Sequence, residues 1–269
     1  MEVRKVANPV LTGKRFGASA EELQPGWAAP SPTGGAAPPE ARPTVRLMSA
    51  NGTFAKAFLL WGLLLVGGAY GWTQTKVPAA GEITVPGWTW IALLGALGLA
   101  MLCAFVPRTA PVTAPLYALA EGVFIGVISR LYDAQWNGIV LQAVLATVAV
   151  FFACLVLYVS GAVKVSNKFI FVVFAATAGI FLMYFATMLL SVFGVEMAFW
   201  REPSALGIAI SVGICIVASL NLFVDFEFIR RMAVARQPKQ MEWYGAFGLT
   251  VTLVWLYLEI LRLIGLLRD

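Results

Sequence analysis

Long apolar runs and short polar breaks alternate along this chain from Phe54 almost to its last residue. Each run is about 20 residues long, the length at which an α-helix crosses a hydrocarbon core about 30 Å thick. No run sustains the period-two alternation that a transmembrane β-strand requires. The pattern therefore predicts an all-α integral membrane protein with about seven transmembrane helices, over residues 54–72, 88–107, 113–131, 138–161, 169–193, 205–229 and 243–266.

The first 53 residues have a different character. Stretches such as residues 30–39, rich in Pro, Gly and Ala, cannot bury enough apolar surface to offset the entropy of ordering. The segment also lacks the apolar core of a cleavable signal peptide. We therefore expect a disordered cytoplasmic tail over residues 1–53, followed by a seven-helix transmembrane domain over residues 54–269.

The composition agrees with a membrane protein. Hydrophobic residues make up 60% of the 269 residues and charged residues 12%, whereas a soluble domain carries about 25% charged residues. The net charge is +5, but the basic residues gather in the tail and in certain loops, as membrane topology requires. The expected partner is therefore the lipid bilayer, and nucleic-acid binding is not expected.

The Lys and Arg residues also predict the orientation. If the N-terminus is cytoplasmic, the inner segments hold thirteen basic residues and the outer segments hold four. Cytoplasmic loops are the ones that carry an excess of Lys and Arg. An odd number of spans then places the C-terminus outside, although a re-entrant final helix would return it to the cytoplasm.

Several kinds of chemistry are excluded by the residues that the chain lacks. It contains no histidine, which rules out a His-Glu-x-x-His zinc site, a Ser-His dyad and a histidine-bound haem. Cys103, Cys154 and Cys215 lie in separate apolar runs, without the spacing of a zinc site or a disulfide framework. The last span has no lysine for a retinal Schiff base. We therefore expect neither an enzyme nor a tightly bound cofactor.

Two carboxylates, Asp225 and Glu259, lie inside the last two apolar runs. An acidic side chain at membrane depth is costly when ionised and unpaired, so it marks an ion path, a proton relay or a switch by default. Asn221, one turn before Asp225, can hydrogen-bond its carboxyl group. Arg262, three residues after Glu259, can neutralise it in an internal ion pair, or can extend toward the outer surface and leave it free.

Two other glutamates also lie in apolar runs. Glu121 precedes Gly122, where small residues permit close helix contact. Because the sequence identifies no partner for Glu121, it is either a functional residue or a buried hydrogen-bonding one. Glu227 lies about 200° around the helix from Asp225, and we expect it to pair with the arginines three and four residues further on.

Asp225 and Glu259 would form a switch if their carboxyl groups met. Two carboxyl groups within hydrogen-bonding distance in a low dielectric share a proton, and they separate when both ionise. The open pair then offers oxygen ligands that suit Ca²⁺. The expected depths of the two residues in the membrane oppose the contact. Asp225 lies about 6 Å from the inner end of its helix, whereas Glu259 lies about 24 Å from Trp243 if the last helix is straight. The two meet only if the last helix begins after a bend at residues 243–248.

At these residues the chain resembles the Bax inhibitor-1-like (transmembrane Bax-inhibitor-motif) family. It is especially similar to the bacterial branch, whose tail carries an Asn-Pro near its start, here Asn8-Pro9. The resemblance implies that six helices surround the C-terminal one, in the inner membrane of a bacterium. It extends from about residue 50 to the C-terminus and is strongest at Ala-Pro-Leu-Tyr-Ala-Leu-Ala-Glu-Gly (114–122), Phe-Val-Asp-Phe-Glu-Phe-Ile (223–229) and Glu-Trp-Tyr-Gly-Ala-Phe-Gly…Leu-Tyr-Leu-Glu-Ile (242–260).

Members of this family are associated with a pH-sensitive calcium leak that a pair of aspartates gates. Asp225 matches the aspartate near the end of the sixth helix, and Glu259 matches the acid of the seventh, with Glu in place of Asp. The resemblance therefore implies that these two residues are the pH sensor, the gate and the ligands of a permeant calcium ion. Arg108 stands where the family has a basic residue that can engage the acidic pair. The predicted supporting residues are Asn221, Arg108, Glu121 and Arg262.

Two other functions stay open. A proton-coupled transporter would use the same carboxylates, but such transporters are often built from related halves with broken helices, and neither feature is evident in this sequence. A non-transporting membrane regulator would bind a membrane protease or a stress-response partner, with the N-terminal tail as the docking segment.

Overall fold

The computed structural model of this chain describes residues 47–76, 85–194 and 203–268. Within these ranges, seven helices are long and apolar enough to cross a membrane, as the hydrophobic pattern predicts. They are α1 (Ala50–Gln74), α2 (Trp88–Phe105), α3 (Ala110–Gln135), α4 (Ile139–Val159), α5 (Asn167–Val192), α6 (Ala205–Val234) and α7 (Met241–Arg268).

The helix ends follow from local sequence. Ser49, Ser166 and Ser204 precede α1, α5 and α6, and each hydroxyl accepts a hydrogen bond from the backbone N–H three residues later. A short 3-10 turn, Pro107–Thr109, joins α2 to α3. Helices α1, α3, α6 and α7 extend a few residues beyond the predicted spans, because helical hydrogen bonding continues into polar residues that a hydropathy pattern assigns to loops.

The helical unit begins earlier than the predicted boundary at residue 53. Met48 N donates a 2.8 Å hydrogen bond to Gln237 O, and Leu47 forms a bridge with Pro238. Ser49 then caps α1, which starts at Ala50. Residues 1–46 of the predicted disordered tail lie outside the described residues.

Helix α7 is the centre of the bundle and carries more buried residues than any other helix. The backbones of α1, α3, α4 and α6 pack directly against it. Helix α2 packs on α3, and α5 packs on α6, so these two helices form an outer layer. The predicted central position of the C-terminal helix is confirmed. Four of the six predicted surrounding helices pack their backbones against it, and α5 reaches it through the Tyr184 side chain, which donates to Glu259 Oε1 (2.7 Å).

Glycines bring α1 and α3 into direct backbone contact. A Cβ atom at Gly67 or Gly71 of α1 would overlap backbone atoms of α3, and one at Gly122 or Gly126 of α3 would overlap backbone atoms of α1. Small residues four apart on facing helices allow this approach. The close helix contact expected beside Glu121 is therefore confirmed at Gly122.

The two ends of α7 lie at opposite ends of the bundle. Its first turns meet the start of α1, whereas Arg268 bonds to Asn137 O (3.2 Å) and Gln142 Oε1 (2.9 Å) in the α3–α4 region. We call the end where α1 and α7 begin the near end, and the end that holds Arg268 the far end. Helix α7 thus runs without a break from the near end to the far end of the bundle.

Candidate functional site

Asp225 lies on α6 and faces Gly248, a residue of α7 that has no side chain. A Cβ atom at Gly248 would lie 3.9 Å from Asp225 Oδ1, and the Thr252 side chain lies close enough to the carboxyl group to interact with it. Oδ2 is buried and has no hydrogen-bond partner among the described residues. Because burying an unpaired polar oxygen is costly, a proton or a cation at Oδ2 would relieve that cost.

Asn221 does not support Asp225 in the predicted way. Its Nδ2 donates to Thr177 Oγ1 of α5 (2.8 Å) and to Val217 O (2.9 Å). Both N–H bonds of the amide are thereby used, so no amide donor is left for the Asp225 carboxyl group. Asn221 instead ties α6 to α5.

Glu259 lies in a second cluster, nearer the far end. Its Oε1 accepts hydrogen bonds from the Tyr184 hydroxyl (2.7 Å) and from Trp255 Nε1 (3.1 Å), and its Oε2 forms a 2.8 Å ion pair with Arg262 Nη2. Arg262 also donates to the Tyr184 hydroxyl (2.7 Å) and to Ser211 Oγ (3.4 Å). We call these five residues the far cluster. Of the two alternatives for Arg262, the structure contains the internal ion pair.

The structure separates Asp225 from Glu259. Gly248, which faces Asp225, precedes Glu259 by eleven residues, or about 16 Å along α7. On α6, the far cluster includes Ser211, whose Oγ accepts a 3.4 Å hydrogen bond from Arg262 and which lies fourteen residues and about 21 Å before Asp225. Helix α7 is continuous from Met241, so no late start brings Glu259 toward Asp225. The predicted carboxylate pair is therefore not formed, and the polar α7 residue beside Asp225 is a threonine.

The other two predicted supporting residues form no hydrogen bond or ion pair with either carboxylate in the described ranges. Arg108 is exposed in the 3-10 turn and forms no ion pair with Asp225 or Glu259 in the described ranges. Glu121 is half-buried on α3, one turn from Tyr117, whose ring packs edge-on against Phe247 of α7 at 5.1 Å. No group of three His, Cys, Asp or Glu residues in the described ranges could hold a metal ion. A calcium-ligand role for Asp225 and Glu259 stays a prediction.

Glu227 forms the ion pairs that helix geometry predicts. Its Oε1 lies 2.7 Å from Arg230 Nη2 and 2.7 Å from Arg231 Nε. The Tyr158 hydroxyl adds a 2.8 Å hydrogen bond to Oε2. Both oxygens of this carboxylate therefore have partners at the near end, which supports its assignment to interfacial charge pairing.

Sequence reasoning missed a further buried carboxylate, that of Glu242 in the first turn of α7. Its side chain is fully buried, forms an ion pair with Lys56 of α1, and accepts hydrogen bonds from Ser49. The available signal was a lone lysine three residues into the first apolar run. Such a lysine inside an apolar run requires a partner or water.

The comparison with known protein families gives a match. The family model described as Bax inhibitor 1 like matches residues 8–269, nearly the whole chain. No curated protein matches the chain.

Proposed function

The chain belongs to the Bax inhibitor 1 like family, and on that premise we propose that it is a pH-sensitive cation leak, with Ca²⁺ as the permeant ion. The observation that carries the proposal is the Asp225 carboxyl group, whose Oδ2 is buried and has no hydrogen-bond partner among the described residues. In a low dielectric this group holds either a proton or a compensating cation. Cation occupancy therefore depends on pH, and the flux rises as Asp225 ionises.

Oxygen chemistry supports the choice of ion. Ca²⁺ prefers carboxylate, hydroxyl and carbonyl oxygens in a flexible arrangement, and Asp225 lies beside the Thr252 hydroxyl. In this proposal Asp225 is the pH sensor. Glu259 is a second carboxylate on the ion route, and its ion pair with Arg262 (2.8 Å) keeps it neutralised in the closed state.

We also propose that the protein lies in a bacterial inner membrane with a cytoplasmic N-terminus. The excess of basic residues in the inner segments, thirteen against four, supports this orientation. Reporter fusions at the two termini would give opposite locations if it is correct.

The proposal is tested with purified protein in liposomes that contain a calcium-sensitive dye. Wild-type protein should admit Ca²⁺ at a rate that depends on pH, and Asp225→Asn should remove that dependence. Asp133→Asn is the matched control, because Asp133 is an acidic residue of α3 that pairs with Arg130 (3.5 Å) and accepts a hydrogen bond from Gly138 N (3.0 Å). An Asp225→Asn protein with wild-type flux and pH profile would remove the sensor role. Uptake against a calcium gradient, driven by a proton gradient, would indicate a proton-coupled transporter instead.

A further inference from the structure

The Glu242 carboxylate joins the starts of α1 and α7. Ser49 donates to its Oε1 twice, from the backbone N (3.0 Å) and from Oγ (3.1 Å). Lys56, two turns into α1, forms an ion pair with Oε2. The carboxylate thus also lies at the N-terminus of α1, where the helix dipole favours a negative charge. We call Ser49, Lys56 and Glu242 the α1–α7 clamp.

The surroundings of the clamp fit the carboxylate closely. A Cβ atom at Gly52 would overlap the Glu242 carboxylate, so a larger residue there would displace the carboxylate. The Lys56 ammonium also lies over the Trp243 ring, 5.5 Å from its centroid. Both charges are therefore paired in the bundle rather than solvated at its surface.

A continuous line of contacts leads from the clamp to Asp225. One turn beyond Glu242, a Cβ atom at Gly245 would lie 3.0 Å from Thr53 Cγ2 of α1 and 3.3 Å from Ile229 Cγ1 of α6. One turn further, Gly248 faces Asp225. Because α7 is a single helix and protein interiors are close-packed, a shift of its first turn moves the residues that face Asp225.

We propose that Glu242 is a positioning residue for the Asp225 site. Its bonds to Ser49 and Lys56 hold the first three turns of α7 against α1 and α6, and so set the separation between Thr252 and the Asp225 carboxyl group. The effect on ion flux rests on the proposed leak function, whereas the effect on the geometry around Asp225 does not. In the described ranges, Lys56 is the charged group facing Glu242, and the Thr252 hydroxyl is the polar group facing Asp225.

The first test compares ion flux in clamp variants. Glu242→Gln and Lys56→Met should each change the closed-state Ca²⁺ leak about tenfold, because that is the size of effect expected for losing a charge-assisted hydrogen bond. Each variant should also displace the pH dependence of the leak. The double variant should show no more change than either single one, since both remove the same ion pair. Lys56→Arg keeps the charge and should behave as wild type. Additive single effects, or a wild-type profile in Glu242→Gln, would overturn the proposal.

Glu227→Gln is the matched control. Glu227 is also an ion-paired glutamate at the near end of the bundle. Unlike the partners of Glu242, which lie at the start of α1, its partners lie on α4 and α6. This variant should leave the pH profile unchanged. A displacement equal to that of Glu242→Gln would show that any lost charge pair at this end has the same effect, which contradicts a specific positioning role.

A second readout does not depend on flux. A hydrophobic carbodiimide reacts with protonated carboxyl groups in membranes, and mass spectrometry measures its attachment at Asp225. Glu242→Gln and Lys56→Met should change the labelling rate at Asp225 about tenfold, and Glu227→Gln should not. If wild-type protein passes no Ca²⁺, the leak function fails, but changed labelling still supports the clamp. Unchanged labelling overturns it.

A milder variant covers the case in which Glu242→Gln does not fold. Ser49→Ala removes the hydroxyl donor and leaves the backbone N–H bond and the Lys56 ion pair in place. It should change the labelling rate in the same direction by a smaller factor. If Asp225 is labelled at the wild-type rate in both Ser49→Ala and Lys56→Met, the proposal is overturned.

Discussion

The Tyr184 hydroxyl donates a 2.7 Å hydrogen bond to Glu259 Oε1 and so joins the peripheral helix α5 to the central helix α7. The same hydroxyl accepts a 2.7 Å hydrogen bond from Arg262. Val173 is the one buried residue of α5 in the described ranges, so apolar packing contributes little to holding this helix. Polar bonds therefore matter more for α5 than for the helices that pack directly on α7.

Tyr184→Phe should destabilise the bundle by about 1–3 kcal/mol, because it removes the hydroxyl's two hydrogen bonds to charged groups, Glu259 and Arg262. Denaturant unfolding in detergent micelles measures this change. Thr187→Val is the control, because the Thr187 hydroxyl donates within α5, to Tyr184 O (2.9 Å). It should alter stability by about 0.5 kcal/mol or less. An equal loss in both variants would contradict a tie between α5 and α7.

Glu259→Leu should cost about 3–5 kcal/mol, because it leaves the buried Arg262 guanidinium without its carboxylate. Adding Arg262→Met should recover most of that loss, since an apolar pair replaces both charges. The more exposed Arg130–Asp133 pair (3.5 Å) provides a comparison, and Asp133→Asn should cost about 0–1 kcal/mol. A double variant less stable than Glu259→Leu would refute this account of the ion pair.

Thr252→Val removes the hydroxyl that lies beside Asp225 while keeping the shape of the side chain. The ionised carboxyl group loses a nearby polar group that stabilises its charge, so the liposome leak should respond at a higher pH than in wild type. Thr250→Val serves as the control on the same helix, because the Thr250 hydroxyl donates to Ala246 O within α7 (2.8 Å). A pH response that is the same in both variants would show that Thr252 does not act on Asp225.

Gly126→Ala should destabilise the protein by about 1–3 kcal/mol or more, because the new Cβ atom would overlap the Gly68 backbone across the α1–α3 contact. Gly98→Ala on α2 should instead stabilise the protein. Its Cβ atom meets no atom within 4 Å, and alanine is favoured over glycine inside a helix by about 1 kcal/mol. Thermal unfolding in one detergent compares the two. Stabilisation by Gly126→Ala would show that the helices can separate without cost.

The far cluster shows where local reasoning succeeds. Arg262 lies three residues after Glu259 on the same helix, so sequence alone predicts that the two can pair. The partner Tyr184 comes from a helix 75 residues away along the chain. No pattern within α7 indicates which face of α5 meets it.

The sequence by itself determined the seven spans, the pairing of Glu227 with Arg230 and Arg231, and the glycine-mediated contact beside Glu121. Each depends on hydropathy or on spacing within one helix, which are local properties. Only the tertiary structure decided that Asp225 faces Thr252 rather than Glu259, and that Glu242 is held by Lys56 and Ser49. These contacts depend on the depth and rotation of α7 relative to α1 and α6, and the packing at Gly52, Gly245 and Gly248 sets both.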